Sequence, residues 1–282
     1  MNGNIIIIEL LQKNDNFSIV RCGLGAETIM SYNYLIYGDN YKNHPSYKNT
    51  LYTLHNNAGI YFHSKYHETD LHKYVNDFSN AIKTCNYIGV WYDTFIHNIE
   101  KQYINKYNLH NCHFNAMDLE PYYFENPWSK YLEGKRVLII NPFTDTIQKQ
   151  YQKRNLLFKN KDILPNFILL TLKSCNTSAS NRIGDSWIDN YNKMCEQIDN
   201  IDFDIALLGC GGYGLPLVNY IKNVKNKSAI YIGGALQILF GIKGKRWDNN
   251  TNINKFYNEH WTRPSKEENI TGLQNIEGGC YW

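Results

Sequence analysis

The sequence predicts an α/β protein built on a Rossmann-like, mostly parallel sheet flanked by helices, and three observations lead there. In the second half, short aliphatic and β-branched runs alternate with amphipathic stretches, the pattern of successive βαβ units. One of those runs ends in a glycine-rich turn that opens a helix. At 282 residues the chain is long enough to bury such a sheet on both faces as a single unit.

Taken in order, the apolar run Ile5-Ile6-Ile7-Ile8 reads as a first strand: Glu9 interrupts it, no basic region precedes it and no small-residue cleavage pattern follows. A helix is expected from about Ala26, another near Leu71 to Thr84, a strand around Tyr87 to Trp91, and a helix near Thr94 to Tyr107. Arg136 to Ile140 is a buried strand, followed by the turn Asn141-Pro142-Phe143 and a helix starting near Thr144. Asn166 to Thr171 is the next strand, Trp187 to Ile198 a helix, Phe203 to Leu208 a strand, Leu215 to Val224 a helix, and Ala229 to Ile232 the last strand. No repeat or heptad interrupts this series. One domain over 1–282 is expected, with a looser half 1–131, a Rossmann-like half 132–248 and a tail 249–282.

Lys and Arg total 29 against 26 Asp and Glu, a net +3 that is too small for the electrostatic footprint of a nucleic-acid binder. Any anionic ligand must therefore be held by a local site. Seven cysteines, none spaced as C-x-x-C, suggest neither a disulfide framework nor a zinc ribbon, and reduced thiols in the cytoplasm are expected. Nothing approaches the roughly 18 consecutive apolar residues of a membrane span, so a soluble protein is expected. Asn-x-Ser/Thr matches are chance products of an Asn-rich chain.

The most informative local pattern is Gly209-Cys210-Gly211-Gly212-Tyr213-Gly214, a complete G-x-G-x-x-G between a strand and a helix. Such glycines let backbone approach a phosphate while the helix start supplies positive potential. A dinucleotide site also needs an acid at the end of the next strand, and here that strand runs into Gly233-Gly234. Nicotinamide cofactors are thereby demoted in favour of another nucleotide. Downstream, Lys243, Lys245 and Arg246 stand beside two glycines and Trp247, a loop able to neutralise a diphosphate and stack on a base or sugar.

At these motifs the chain resembles a known group. Leu119-Glu120-Pro121-Tyr122-Tyr123, the stretch from Gly134 to Phe143, Gly209 to Pro216, Gly233 to Asp248 and the terminal Glu277-Gly278-Gly279-Cys280-Tyr281-Trp282 resemble bacterial proteins linked to surface-polysaccharide genes and grouped with GT-D-fold glycosyltransferases. The likeness is good from about Asp118 onward and implies a GT-D-like fold. In the first half, Arg21-Cys22-Gly23-Leu24-Gly25-Ala26-Glu27 resembles the R-x-G-D-G-E segment whose Asp and Glu form that fold's metal motif. Arg21, Gly23 and Glu27 match, whereas Leu24 takes the place of the Asp and one residue is inserted.

A second pair of carboxylates stands at Asp118 and Glu120, and Pro121 biases Glu120 toward extended backbone. Residues two apart on an extended segment point the same way, so both are candidate ligands for one Mn or Mg ion bridging a diphosphate. Glu120, Asp248, Glu259 and His260 are candidate bases for an acceptor hydroxyl. His63 with His67, and His110, Cys112 and His113, lack four spaced ligands and read as surface. No Gly-x-Ser-x-Gly element is present.

Together these point to a glycosyltransferase that takes a nucleotide diphosphate sugar over the C-terminal edges of the strands and passes the sugar to a glycan or related acceptor. Gly209, Gly211, Gly212, Gly214, Gly233 and Gly234 would approach the phosphates or sugar through backbone, with Trp247 and Trp261 stacking on sugar faces. A non-catalytic sugar or nucleotide sensor in polysaccharide assembly is the alternative, and the altered R-x-G-D-G-E segment is its argument. A nicotinamide-dependent oxidoreductase is a third.

Overall fold

A computed structural model of the chain describes residues 1–13 and 15–282. Among the described residues, seven parallel strands form one sheet: β1 Ser18–Arg21, β2 Tyr87–Val90, β3 His113–Asn115, β4 Arg136–Asn141, β5 Ile168–Lys173, β6 Ile205–Leu208 and β7 Ser228–Tyr231. Their spatial order is β3-β2-β1-β7-β6-β4-β5. The helices are α1 Gly3–Lys13, α2 Ala26–Tyr37, α3 Tyr47–Asn56, α4 His67–Thr84, α5 Ile96–Tyr107, α6 Thr144–Tyr151, α7 Arg154–Leu157, α8 Trp187–Asp199 and α9 Gly214–Asn223, followed by single turns α10 Leu236–Leu239, α11 Lys245–Asp248 and α12 Thr251–Asn254.

Alternation along the strands divides the core into two layers. Val20, Leu138, Ile140, Ala206 and Leu208 face one layer, where they meet Met30 of α2, Phe78 of α4, Met194 of α8 and Val218 of α9. Their neighbours Ile19, Val137, Ile139, Ile205 and Leu207 face the other, with Ile7 of α1, Ile147 of α6, Trp247 of α11 and Trp261 of the tail. A strand buried on both faces reads as an unbroken apolar run, which is why β4, β6 and β7 are visible in the sequence.

The α/β, mostly parallel class is as expected; three local readings are not. Ile5 to Ile8 lies inside α1. Only Ile7 of the four is fully buried, with Leu11 one turn on, whereas Ile5 is exposed. The Asn2 side chain accepts from the Ile5 N–H and the Asp118 carboxylate from the Gly3 N–H, so both ends of the first turn have partners that outweigh the β preference of isoleucine. The first strand is instead Ser18–Arg21, in the middle of the sheet. β5 begins and ends two residues beyond the expected span, and the cationic loop around Lys245 is one turn of helix.

The order of strands creates two places where consecutive crossovers leave in opposite directions. From β1 the chain moves to β2 on one side while β7 lies on the other, and from β4 it moves outward to β5 while from β6 it returns to β7. Crevices of parallel sheets form at such points, outside the C-terminal strand ends. Among the described residues, no helix is long and apolar enough to cross a membrane.

Candidate active site

A cavity of about 710 Å³ opens along the C-terminal edge of the sheet. Every strand contributes to it: Arg21 to Glu27 after β1, Trp91 after β2, Met117 and Glu120 after β3, Asn141 to Phe143 after β4, Ser174 to Ser178 after β5, Gly209 to Tyr213 after β6, and Tyr231 with Gly233 to Ala235 at the end of β7. Asn275 to Glu277, Tyr281 and Trp282 of the tail add a further wall.

Arg21 is the best-organised charge in this cavity. It ends β1, is 6% exposed, and donates from Nη1 to Glu120 Oε1 at 3.1 Å. Its guanidinium lies 5.0 Å from the Trp91 ring centre, and the Trp91 indole is fixed by an N–H donated to the Cys22 carbonyl at 2.9 Å. On a third side it passes Gly233, where a Cβ would come within 3.1 Å of Nη2. Glu120 is equally constrained, because Tyr122 donates its hydroxyl to Oε2 at 2.7 Å. A carboxylate held by a guanidinium and a phenol is a positioning group for Arg21 rather than a free base.

Glu27 is different. It sits in the first turn of α2, half-buried, and folds back so that Oε2 stands 2.5 Å from where a Cβ of Gly25 would be. Burial pushes its carboxyl above the ordinary glutamate value, its own backbone N–H opposes this, and the nearby Glu277 charge adds to it. Among the described residues no lysine, arginine or histidine forms an ion pair with it. Glu27 is thus a carboxyl with raised affinity for a proton on the wall of a cavity, the environment of a general base.

The glycine turn contributes less backbone than its pattern implies. A Cβ at Gly214 would fall 2.1 Å from the Tyr231 ring, one at Gly212 2.4 Å from Ile60, and one at Gly209 2.7 Å from the Gly233 carbonyl. Those three glycines exist for close packing of protein on protein. Gly211, at φ +55 with nothing within 4 Å, is the member of the motif that offers open backbone to the cavity, beside the start of α9. Gly23 likewise has nothing within 4 Å of where a Cβ would be, whereas a Cβ at Gly234 would fall 2.3 Å from the Tyr281 ring.

Of the cations after β7, only Arg246 reaches the cavity. Lys243 lies 5.1 Å over the Tyr257 ring, and Lys245 donates to the Gly278 carbonyl at 3.0 Å. Arg246 itself is paired with Glu277 and stacked on Tyr281 at 4.9 Å. Trp247 lines the cavity from a buried position, and Trp261 is core, donating to the Leu157 carbonyl at 2.9 Å.

The remaining candidates do not meet there. Asp248 pairs with Arg263 at 2.6 Å, and Glu259 and His260 pair with one another at 3.5 Å; all three lie outside the cavity lining. The extended segment that would have aligned Asp118 with Glu120 is absent, because Asp118 lies in a 3-10 turn, Ala116–Leu119, and bonds the Gly3 N–H at 2.7 Å. With Asp118 at a helix start, Glu120 on Arg21 and Leu24 offering no donor beside Glu27 in the sequence, the carboxylates do not form a donor set that fits a divalent ion. Among the described residues, no three His, Cys, Asp or Glu side chains gather as a metal site, and this holds for the histidine groups near His63 and His110 as well.

Several lining residues had no sequence signal of their own. Trp91, Asn141 and Tyr231 reach the cavity only because the sheet juxtaposes distant strand ends. Glu277 and Tyr281 were marked only as parts of a terminal motif, although the Gly278-Gly279 pair ahead of an aromatic residue is a turn signal.

The sequence matches the family model of the GT-D fold-like domain over residues 6–239. No curated protein and no solved structure matches it significantly.

Proposed function

This chain belongs to the GT-D fold-like family, and from that premise we propose that it is a glycosyltransferase using a nucleotide diphosphate sugar as donor and a hydroxyl of a glycan or related molecule as acceptor. The observation that carries the reading is the placement of Arg21 and Glu27 on one cavity at the C-terminal strand edges: a preoriented cation and a carboxyl of raised proton affinity. Arg21 has donors left beyond the one given to Glu120, and with the open backbone of Gly211 at the start of α9 they suit a diphosphate.

In the transfer, Glu27 accepts the proton of the acceptor hydroxyl as its oxygen bonds to the anomeric carbon. The bond from that carbon to the phosphate oxygen breaks, and its electron pair leaves with the nucleoside diphosphate. Arg21 offsets the charge that develops there. No metal is given a step, since the carboxylates present do not fit one.

The test is to incubate the purified protein with a panel of sugar nucleotides, with and without manganese. Release of free nucleoside diphosphate that is lost in Glu27→Gln, with an unchanged melting temperature, supports the transferase. Binding without turnover instead supports a sugar or nucleotide sensor, a reading favoured by Leu24 in place of the family's Asp. Absence of binding to every donor refutes both.

A further inference from the structure

The tail beyond the family match builds a wall of the cavity, and its geometry is specific. Glu277, Gly278 and Gly279 all have left-handed backbone, with φ of 47, 71 and 78 degrees. Three such residues in succession form a hook that turns Cys280, Tyr281 and Trp282 back toward the sheet. Glu277 carries a side chain in a conformation that disfavours one, the kind of local strain retained when the surroundings fix it. They do fix it: Lys245 N–H donates to the Trp282 carbonyl at 3.1 Å, Arg246 N–H to the Cys280 carbonyl at 3.0 Å, and the Gln237 amide to the Tyr281 carbonyl at 3.1 Å. Gly234 leaves room for the Tyr281 ring, and a Cβ at Gly244 would fall 2.8 Å from the Cys280 carbonyl oxygen. Glycines of the main fold are thus shaped around the hook.

Toward the cavity the hook presents the half-buried Tyr281 ring and the carboxylate of Glu277, with Arg246 against both. This wall is a poor phosphate site, because two carboxyl groups, Glu277 and the nearby Glu27, stand against the single cation Arg246. A ring face beside a fixed carboxylate and guanidinium suits an uncharged group with apolar C–H faces and many hydroxyls. We propose that the hook Glu277 to Trp282 reads the glycosyl group of the donor, leaving the diphosphate to Arg21; this rests on the transferase reading above.

The test uses the full chain and two pairs of ligands, uridine diphosphate with uridine diphosphate glucose and guanosine diphosphate with guanosine diphosphate mannose, titrated by calorimetry. For the pair that wild type binds, Tyr281→Ala is expected to weaken the sugar conjugate about tenfold while the affinity of the free diphosphate changes less than about twofold. Tyr281→Phe, which keeps the ring, should bind the conjugate close to wild type. Equal losses on both ligands, no loss on either, or a Tyr281→Phe variant as weak as Tyr281→Ala overturns the proposal while leaving the transferase reading in place. A wild type that binds none of the four overturns that reading, and the role of the hook falls with it.

Discussion

Replacing Glu120 by alanine tests the electrostatic design of the cleft most directly. Arg21 and Glu120 form a pair whose side chains are 8% and 6% exposed, so truncating the acid strands a guanidinium where water reaches poorly. Breaking such a pair costs about 3–5 kcal/mol, most of it the penalty of the unpaired charge. The cation–π contact with Trp91 persists and the Tyr122 hydroxyl loses its acceptor, which together keep the expected loss inside that range. For a chain of this length 1 kcal/mol moves the melting temperature by about 2 °C, so a fall of roughly 6–10 °C is expected by differential scanning fluorimetry. Pyrophosphate supplies the second half of the assay. If Arg21 is the diphosphate cation, the added anion takes the place of the missing carboxylate, and the variant gains more degrees from pyrophosphate than wild type does. The double variant Arg21→Met, Glu120→Ala should recover part of the stability and respond to pyrophosphate no more than wild type. A single variant that melts with wild type, or whose response to pyrophosphate is no larger, refutes the assignment of Arg21 as a buried cation awaiting an anion.

The glycine turn gives a contrast between two neighbours. Gly214→Ala drives a methyl into the Tyr231 ring and should destabilise by about 1–3 kcal/mol in chemical denaturation, whereas Gly211→Ala meets open space, costs about 1 kcal/mol for its left-handed backbone, and should chiefly weaken nucleoside diphosphate binding; the reverse ranking in stability contradicts the packing account. Glu100 provides a test by pH. It is fully buried in α5, accepts from the Trp91 N–H at 2.9 Å, and burial pushes its carboxyl up to about 7. His97, with Nδ1 3.8 Å away, is held below its usual range by burial and supplies no charge at neutral pH. Because the unfolded chain releases the Glu100 proton at lower pH than the folded one, stability should fall as pH rises through about 4.5 to 7 and stay low above. Glu100→Gln should remove that part of the slope and be the more stable form at pH 8 by about 3 kcal/mol; parallel stability curves for variant and wild type count against a buried ionisable group there.

How much of this was legible in the sequence follows from how local each cause is. The strands β4, β6 and β7 declare themselves because burial on both faces makes each a continuous apolar run. β1 is as long as β6 and β7, but only Ile19-Val20 of it is aliphatic, between Ser18 and Arg21, and β3 has three residues, too few for periodicity; Arg21 and Glu27 around β1 were nevertheless marked by resemblance to the R-x-G-D-G-E segment. Ile5 to Ile8 misleads because one of the two contacts that hold the helix start, from the Gly3 N–H to Asp118, comes from 115 residues away. The same contact explains why Asp118 does not join Glu120: its carboxylate satisfies backbone at the start of α1. A carboxylate of the tail behaves alike, since Glu268 accepts from the Asp145 and Thr146 N–H groups at the start of α6. Acids near the C-terminal strand edges are thus divided between helix starts and the cavity, and spacing along the chain does not say which.

That division also accounts for the kind of ligand the cleft accepts. Both arginines on its wall, Arg21 and Arg246, carry a protein carboxylate as partner. A diphosphate therefore shares Arg21 with Glu120 and does not enter a field of bare positive charge, so long-range attraction contributes little, in keeping with a net charge of only +3. Affinity must then come from short-range contacts on either side of the phosphates: backbone at Gly211 and the start of α9 on one, the ring and charged pair of the tail on the other. A ligand with a single anionic group and nothing to place against the tail satisfies only half of that surface. The pairing that keeps the empty cleft from repelling itself is for the same reason a selector for donors that carry a group beyond the diphosphate.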